Sequence, residues 1–275
     1  MDISICSFSF HRLLAAGKQD IFQYITDCKA LGCTLLDPWN AHLAPLQEGD
    51  KVLHAGHNPH DAQLSTADED YVQQVKAAAD EAGLPFGCIA VDGAHIYDEN
   101  PEVRAANRTR AYRWIEIAQT LNARQIRIDS GGPAELTDEI FDVIVDGYND
   151  IISRAGDIEI LIENHWGPSP IPDNVNRILD AVPGLGLLFD SYNWAPGMQQ
   201  EGWEKCAHRA RALHIKSFAF DEQGNETTQD VPQVIKRLVD TGYRGAWGVE
   251  SVPKDGDEVE GARKTIELIK REVNA

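Results

Sequence analysis

The stretch Ile158-Glu159-Ile160-Leu161-Ile162-Glu163-Asn164-His165-Trp166-Gly167 decides how this chain is read. Its apolar run has the length and composition of a strand buried on both faces, the kind found in parallel sheets covered by helices. A carboxylate and an imidazole then stand at its C-terminal tip, where such folds place their chemistry. The same grammar recurs three times downstream. Gly186-Leu187-Leu188-Phe189 runs into Asp190, Arg211-Ala212-Leu213 into His214, and Ala246-Trp247-Gly248-Val249 into Glu250. Four successive strand tips thus deliver Glu, Asp, His and Glu.

Upstream of that run, residues 2–10 read as a first strand, and residues 20–31 carry Ile21, Tyr24, Ile25, Cys28 and Leu31 at helical spacing until Gly32 stops them. Residues 33–36 form a second, short apolar run tipped by Asp37-Pro38-Trp39-Asn40. A long polar connection over residues 41–67 follows, with His54, His57 and His60. Gly56 and Pro59 speak against a helix that would align these histidines, and a connection of this length reads as an active-site cover rather than a metal site. Then come a helix over 68–82, a strand over 86–91 with His95 beyond it, and a helix over 101–121. That helix is basic at Arg104, Arg108, Arg110 and Arg113, a face that reads as solvated. The fourth strand, 125–128, is tipped by Asp129-Ser130-Gly131-Gly132, and the period of two puts Arg127 one layer below Asp129 on the same face.

A helix over 138–155 leads into the opening stretch. Helices over 172–182, 199–209, 231–241 and 259–273 separate or follow the remaining strands. Eight strand-then-helix units in 275 residues, with no linker or shift of composition, predict a single (β/α)8 TIM barrel in one domain spanning residues 1–275.

With 44 acidic against 25 basic residues, the formal charge is -19, a field that repels polyphosphate and argues against nucleic acid as a partner. A small sugar or polyol is compatible with it, and so is a homo-oligomer. Cys6, Cys28, Cys33, Cys88 and Cys206 are odd in number and scattered, which predicts reduced thiols and a cytoplasmic location. The first residues carry no basic, apolar leader, and no run approaches the ~18 apolar residues of a membrane helix, so no membrane is expected.

In a closed barrel the four tips lie on one side of the mouth, where Glu163, Asp190, His214 and Glu250 can converge on one cation. One acid at a strand end is ordinarily a helix cap or an ion pair. Four hard ligands at consecutive tips predict a metal site, and the carboxylate-rich set suits Mn2+, Co2+ or Mg2+, with Zn2+ and Fe2+ compatible.

At these residues the chain resembles the xylose-isomerase-like barrels, a family of sugar isomerases and epimerases, inosose-processing enzymes, dehydroshikimate dehydratases and endonuclease IV. The resemblance spans the chain in length and strand order. It is most specific at Glu163-Asn164-His165, Asp190-Ser191-Tyr192-Asn193, His214-Ile215-Lys216 and Gly248-Val249-Glu250. It implies that the four tip residues are the metal ligands, that Glu163 and Glu250 act as acid and base on opposite faces of a sugar, and that the activity is isomerase or epimerase. The family's ketose 3-epimerases carry His three residues after the Asp and Arg six after the His. This chain has Asn193 and Phe220 there, which keeps a lyase or dehydratase acting on a keto-sugar or inosose as the alternative.

His165 and Lys216 share faces with Glu163 and His214, so each is a candidate proton donor or hydroxyl anchor. Trp39, Trp166 and Trp194 near the tips are candidates to stack on a sugar ring. An endonuclease IV-like hydrolysis would need further His and Glu ligands and a basic groove, and a non-catalytic sugar-binding barrel is the remaining reading. Gly131-Gly132 comes with no phosphate-cradling loop, which favours an unphosphorylated substrate.

Overall fold

Seven short parallel strands carry the apolar runs: β1 (Ile3–Ile5), β2 (Cys88–Val91), β3 (Gln125–Ile128), β4 (Glu159–Glu163), β5 (Gly186–Asp190), β6 (Ala210–Ser217) and β7 (Trp247–Ser251). The computed structural model describes residues 1–43 and 69–274. The strand order is β1-β7-β6-β5-β4-β3-β2. Every strand lies beside its sequence neighbour except that β1 turns round to pair with β7, so the sheet curls. Between β1 and β2 runs the segment 36–39, joined to both by single bridges: Cys6 to Asp37, Leu36 to Phe86 and Trp39 to Ala90. Among the described residues the barrel-like ring therefore has seven strands and a bridged segment where an eighth strand was expected over 33–36. Pro38 explains the difference, because it offers no N–H to a ladder and only its carbonyl takes part, accepting from Ala90 at 3.0 Å.

Helices begin where a side chain can accept the first free amides. Asp20, Asn100, Thr137, Asp230 and Asp257 each do so, and Pro101 and Pro172 occupy first turns, where a missing N–H costs nothing. The boundaries differ from the sequence pattern mainly at three places. The first strand ends at Ile5 and turns into the 3-10 segment Ser7–Phe10. The helix expected over 199–209 becomes Gln199–Cys206 followed by the 3-10 turn Ala207–Arg209. Strand β6 runs on to Ser217, which puts His214 inside the strand rather than at its tip. His54, His57 and His60 lie outside the described residues.

The core has two layers. Apolar side chains on the outer strand faces pack against the helices, while Cys88, Leu161, Leu188 and Ala212 form a separate buried cluster. These four come from β2, β4, β5 and β6, and the last three stand two residues before Glu163, Asp190 and His214 on the same faces, so the cluster plugs the barrel beneath them. Burial of Leu161 and Leu188 contributes about 1.5–3 kcal/mol each, and it gives the polar layer above a rigid floor. All five cysteines are free and buried. Among the described residues no helix is long and apolar enough to cross a membrane.

Candidate metal centre

The register of the sheet brings the four residues together. Glu163 pairs with Leu188, so Asp190 lies two residues farther along its strand; Asp190 pairs with His214; and Glu250 pairs with Lys216, again two residues on. Because barrel strands tilt against the axis, these steps of two bring the side chains to one level. One ligand atom from each of Glu163, Asp190, His214 and Glu250 lies within 4.8 Å of every other. All four are buried.

His214 Nδ1 is 3.1 Å from Glu250 Oε2 and 3.6 Å from Glu163 Oε1. Two buried atoms of the cluster, Asp190 Oδ2 and His214 Nδ1, lack a hydrogen bond of their own, while Glu163 turns Oε2 to Arg127 Nε at 3.0 Å. Such a knot of carboxylates and one imidazole fits a divalent cation, whose charge would offset what burial makes costly.

Protein cations hold the cluster from both sides. Burial opposes the charge on Lys216, yet the carboxylates of Asp190, Glu250 and Glu163 keep its pKa above the usual lysine value. Its Nζ lies 3.2 Å from Asp190 Oδ2 and 3.3 Å from Glu250 Oε2, and donates to Asn193 Oδ1 at 2.8 Å. Asn193 Nδ2 in turn donates to Glu163 Oε1 at 3.2 Å. Burial pushes the Asp190 carboxyl up to about 6, against the pull of the Lys216 ammonium. Glu163 and Glu250 go the other way. Burial opposes their ionisation too, but His165 and Arg127 hold Glu163 well below the usual carboxylate range, and Lys216 and His214 do the same for Glu250.

His214 loses proton affinity to burial and regains more from Cys6, Glu163 and Glu250, which leaves its pKa well above the usual value; the Cys6 thiol shares a hydrogen bond with it.

Arg127 anchors the adjoining layer. Its guanidinium meets Asp92 Oδ1 at 2.8 Å, Asp129 Oδ2 at 2.7 Å and Glu163 Oε2 at 3.0 Å. Asp129, Glu163 and His165 are close enough to suggest a second metal set. Arg127 already supplies the cation there, which argues against the multi-metal arrangement that endonuclease-like hydrolysis requires. His165 leans outward, with Nδ1 at 3.2 Å from Asp129 Oδ2 and 26% of its side chain exposed. Burial lowers its pKa, but Glu163 and Asp129 hold it above the usual histidine value.

Backbone clamps fix the strand tips. Asn164 donates from Nδ2 to the Asp190 carbonyl at 3.0 Å and accepts from the Asp190 amide at 2.8 Å. Asn40 makes the same two bonds to the backbone of Asp92, both at 3.1 Å. Gly167 permits the loop after β4 to touch the loop after β3: a Cβ there would lie 1.9 Å from the Gly131 carbonyl oxygen, and its φ is +66°.

The structure thus brings Glu163, Asp190, His214, Glu250, Lys216 and, at the edge, His165 into one site. Trp39 donates from Nε1 to Asp92 at 2.8 Å, and Trp166 packs on His165 with ring centroids 4.6 Å apart. Trp194 is buried against Phe189 and Gly202, in the wall away from the cluster. Phe220 packs on the core beneath Lys264 and presents no charge to the site. Sequence reasoning missed Asp92, Asn40, the Asn164 clamp and Cys6. The signal for Asp92 was available, since it directly follows an apolar strand as the ligands do.

A curled parallel sheet with helices outside it and polar residues gathered toward its C-terminal strand ends defines a TIM-barrel-like fold. Residues 25–272 match the family described as xylose isomerase-like TIM barrel, and the chain belongs to it. The solved structure of L-ribulose 3-epimerase superposes with a TM-score of 0.73 at 14% identity, covering 100% of this chain and 95% of that one. The probable 3-DHS dehydratase AsbF involved in petrobactin synthesis from Bacillus anthracis superposes at 0.68 with 13% identity, covering 98% and 99%. At such identities these likenesses establish the fold alone. The C-glycoside deglycosidase alpha subunit of Arthrobacter globiformis is 32% identical over 63 residues, which is 23% of this chain and 17% of that relative.

Proposed function

We propose that the protein is a divalent-metal-dependent enzyme that moves a proton on the carbon next to the carbonyl of a sugar or keto-polyol, as an isomerase or epimerase. The reading is carried by the convergence of Glu163, Asp190, His214 and Glu250 within 4.8 Å. A cation held there, Mn2+, Co2+ or Mg2+ by the donor set, would polarise a chelated carbonyl and make the neighbouring C–H more acidic. The chain's own residues supply the rest. Glu163 and Glu250 are held ionised by Arg127, His165, Lys216 and His214, which leaves both carboxylates unprotonated at neutral pH. Lys216, locked among Asp190, Glu250 and Asn193, presents an ammonium to an oxygen developing negative charge. His165, positioned by Asp129 and reachable from the mouth, is the acid suited to a hydroxyl of the substrate.

A lyase that expels a β-hydroxyl shares the first proton transfer, and one observation favours it as the second reading. Two proton donors, Lys216 and His165, flank a pair of glutamates that could exchange a proton without them, whereas a leaving hydroxyl needs such an acid. The likeness to an epimerase, to a dehydratase and to a deglycosidase subunit supports a sugar-like substrate in either case. Five buried free thiols support a reducing compartment, the cytoplasm.

Turnover of a keto-sugar panel in heavy water tests the proposal. Solvent deuterium should enter the carbon next to the carbonyl, with product mass otherwise conserved for an isomerase and reduced by water for a lyase. Converted product free of deuterium overturns both. Glu250→Gln, which keeps an oxygen ligand and removes basicity, should lower exchange by about 10²-fold or more.

A further inference from the structure

Two adjoining cavities open at the N-terminal ends of the strands, the end of the barrel opposite Glu163, Asp190, His214 and Glu250. One, of about 320 Å³, is lined by His208, Arg211, Thr241, Tyr243 and Arg244 among others, and by no carboxylate. The second, of about 270 Å³, shares Arg211, Tyr243 and Gly245 with the first and adds Arg124 and Gln125. Gln125 and Glu159 begin β3 and β4, and Arg211 stands second in β6, which fixes the level of the groove. Ala212 borders the groove and belongs to the buried plug, so the plug lies between groove and cluster.

With 44 acidic residues in the chain, most arginines find a partner. Each of the others reaches a carboxylate or the carbonyl of a more distant residue. Arg124 and Arg244 are the two whose side chains reach neither among the described residues. Arg244 Nη1 bonds only the adjacent Tyr243 carbonyl, at 3.0 Å, and Arg124 is engaged through its backbone amide, which donates to Gly87 at 3.1 Å. Both line this groove. Arg211 is loosely paired, with Nε 3.6 Å from Glu159 Oε1. The two acids at the groove are already served by the protein. Asp37 accepts from Ser4 Oγ at 2.5 Å and from the Cys88 amide at 2.8 Å, and Glu159 Oε2 accepts from Gln125 Nε2 at 2.7 Å. The wall is also fixed. The Tyr243 hydroxyl donates to the Ala246 carbonyl at 2.8 Å, and a Cβ on Gly245 would lie 2.3 Å from that hydroxyl oxygen, so the loop carrying Arg244 is closed on itself. An anion repelled elsewhere by a net charge of -19 meets here three guanidiniums with capacity to spare.

We propose that this groove binds a small phosphate monoester, with its head between Arg211 and Arg244 in the first cavity and its body along Arg124 and Gln125 in the second. Guanidinium forks match phosphate oxygens two at a time, and a pair of them beside an imidazole suits a dianion better than a single carboxylate. Taken together, the cavities have the size of a small-molecule site. The ligand binds the folded barrel without taking part in the reaction, because the plug of Leu161, Leu188 and Ala212 separates it from the cluster. The site is independent of the proton-transfer reading.

Titration calorimetry of the full chain with glycerol phosphate, in phosphate-free buffer of low ionic strength, tests it. Binding should saturate at a single site and weaken as salt is added, since Arg211 is 67% exposed and its charge is open to screening. Arg211→Ala and Arg244→Ala should each weaken it about tenfold, the scale of a lost charge-assisted hydrogen bond. Arg177→Ala removes the same charge from an outer helix, where Arg177 pairs with Asp138, and should leave the affinity within about twofold. Added Mn2+ should leave it unchanged. The groove is overturned by an absence of binding, by affinity that survives both groove variants, by an equal loss in Arg177→Ala, which would show net charge alone at work, or by affinity that depends on Mn2+, which would place the phosphate at the cluster.

Discussion

The half of the barrel built by β4 to β7 and the half built by β1 to β3 use the same strand-and-helix architecture and end in opposite electrostatic states. Both put carboxylates at strand ends. On the β1–β3 side Asp92 and Asp129 share the Arg127 guanidinium, with contacts of 2.8 and 2.7 Å, so the protein's own cation meets their charge. On the β4–β7 side Asp190 Oδ2 and His214 Nδ1, buried beside Glu250 and Glu163 Oε1, find no hydrogen bond. Glu163 belongs to both halves, one oxygen facing Arg127 and the other His214. An acid at a strand tip is therefore no ligand by position alone; what separates the halves is how much of the negative charge a side chain already meets, Arg127 facing Asp92 and Asp129 on one side and Lys216 alone facing Asp190 and Glu250 beside a third carboxylate on the other.

The largest effect that would break this comparison is metal removal. Chelation should abolish turnover and lower the unfolding temperature, because a cation that binds only the folded cluster stabilises it by mass action. Full activity in protein shown by elemental analysis to be metal-free would mean the β4–β7 half is as self-sufficient as the other. Next comes Arg127→Met. It leaves Asp92, Asp129 and Glu163 without their shared partner, and loss of one member of a buried ionic group costs about 3–5 kcal/mol. Denaturant unfolding should show that loss; a cost below about 1 kcal/mol would show that Arg127 does not neutralise its half.

A finer comparison uses the two asparagine clamps, each making two hydrogen bonds to the backbone of one strand-tip aspartate. Asn164→Ala and Asn40→Ala should cost similar stability, about 1–3 kcal/mol for the buried groups left unsatisfied. Only Asn164→Ala should weaken Mn2+ binding, by roughly tenfold or more, since the Asp190 backbone carries a candidate ligand and that of Asp92 does not. Equal Mn2+ affinity in the two variants would remove Asp190 from the ligand set.

The two halves also differ in how far they could be read from the chain. Strands β4, β5 and β7 were legible because each is a continuous apolar run ending in a ligand-type residue, which is how a strand buried on both faces is written. Residues 33–36 offered the same signal in weaker form, and Pro38 turned the expected strand into single bridges. The residues that converge were legible by type, but their common level was not. It depends on register, on steps of two between Glu163 and Asp190 and between His214 and Glu250, and no residue spells out a register. Arg127 was placed one layer below Asp129 by the period of two. That it also reaches Asp92 and Glu163 is a fact of three strands, invisible along one.

The smallest effect lies on the outer wall of the β1–β3 half, between helices Pro101–Leu121 and Asp138–Ala155. Asp150 accepts from Arg108 Nη1 at 2.7 Å and from the Tyr112 hydroxyl at 2.5 Å. Burial slightly opposes its charge, but the Tyr112 hydrogen bond and Arg108 outweigh it, so its folded pKa lies below the usual aspartate value. The sign follows from that direction. A depressed carboxyl binds fewer protons folded than unfolded, so its contribution is fully present above the unfolded pKa of about 3.9 and is lost as pH falls through the folded value. The side chain is 39% exposed, and solvent screening limits the pair to a few tenths of a kcal/mol. Asp150→Asn should therefore unfold at slightly lower denaturant than the unaltered protein from pH 7 to about 5, and the gap should close below pH 4. A gap that persists unchanged at pH 3 would assign the contact to packing between the helices, and the wall would then owe nothing to charge, unlike the Arg127 layer it encloses.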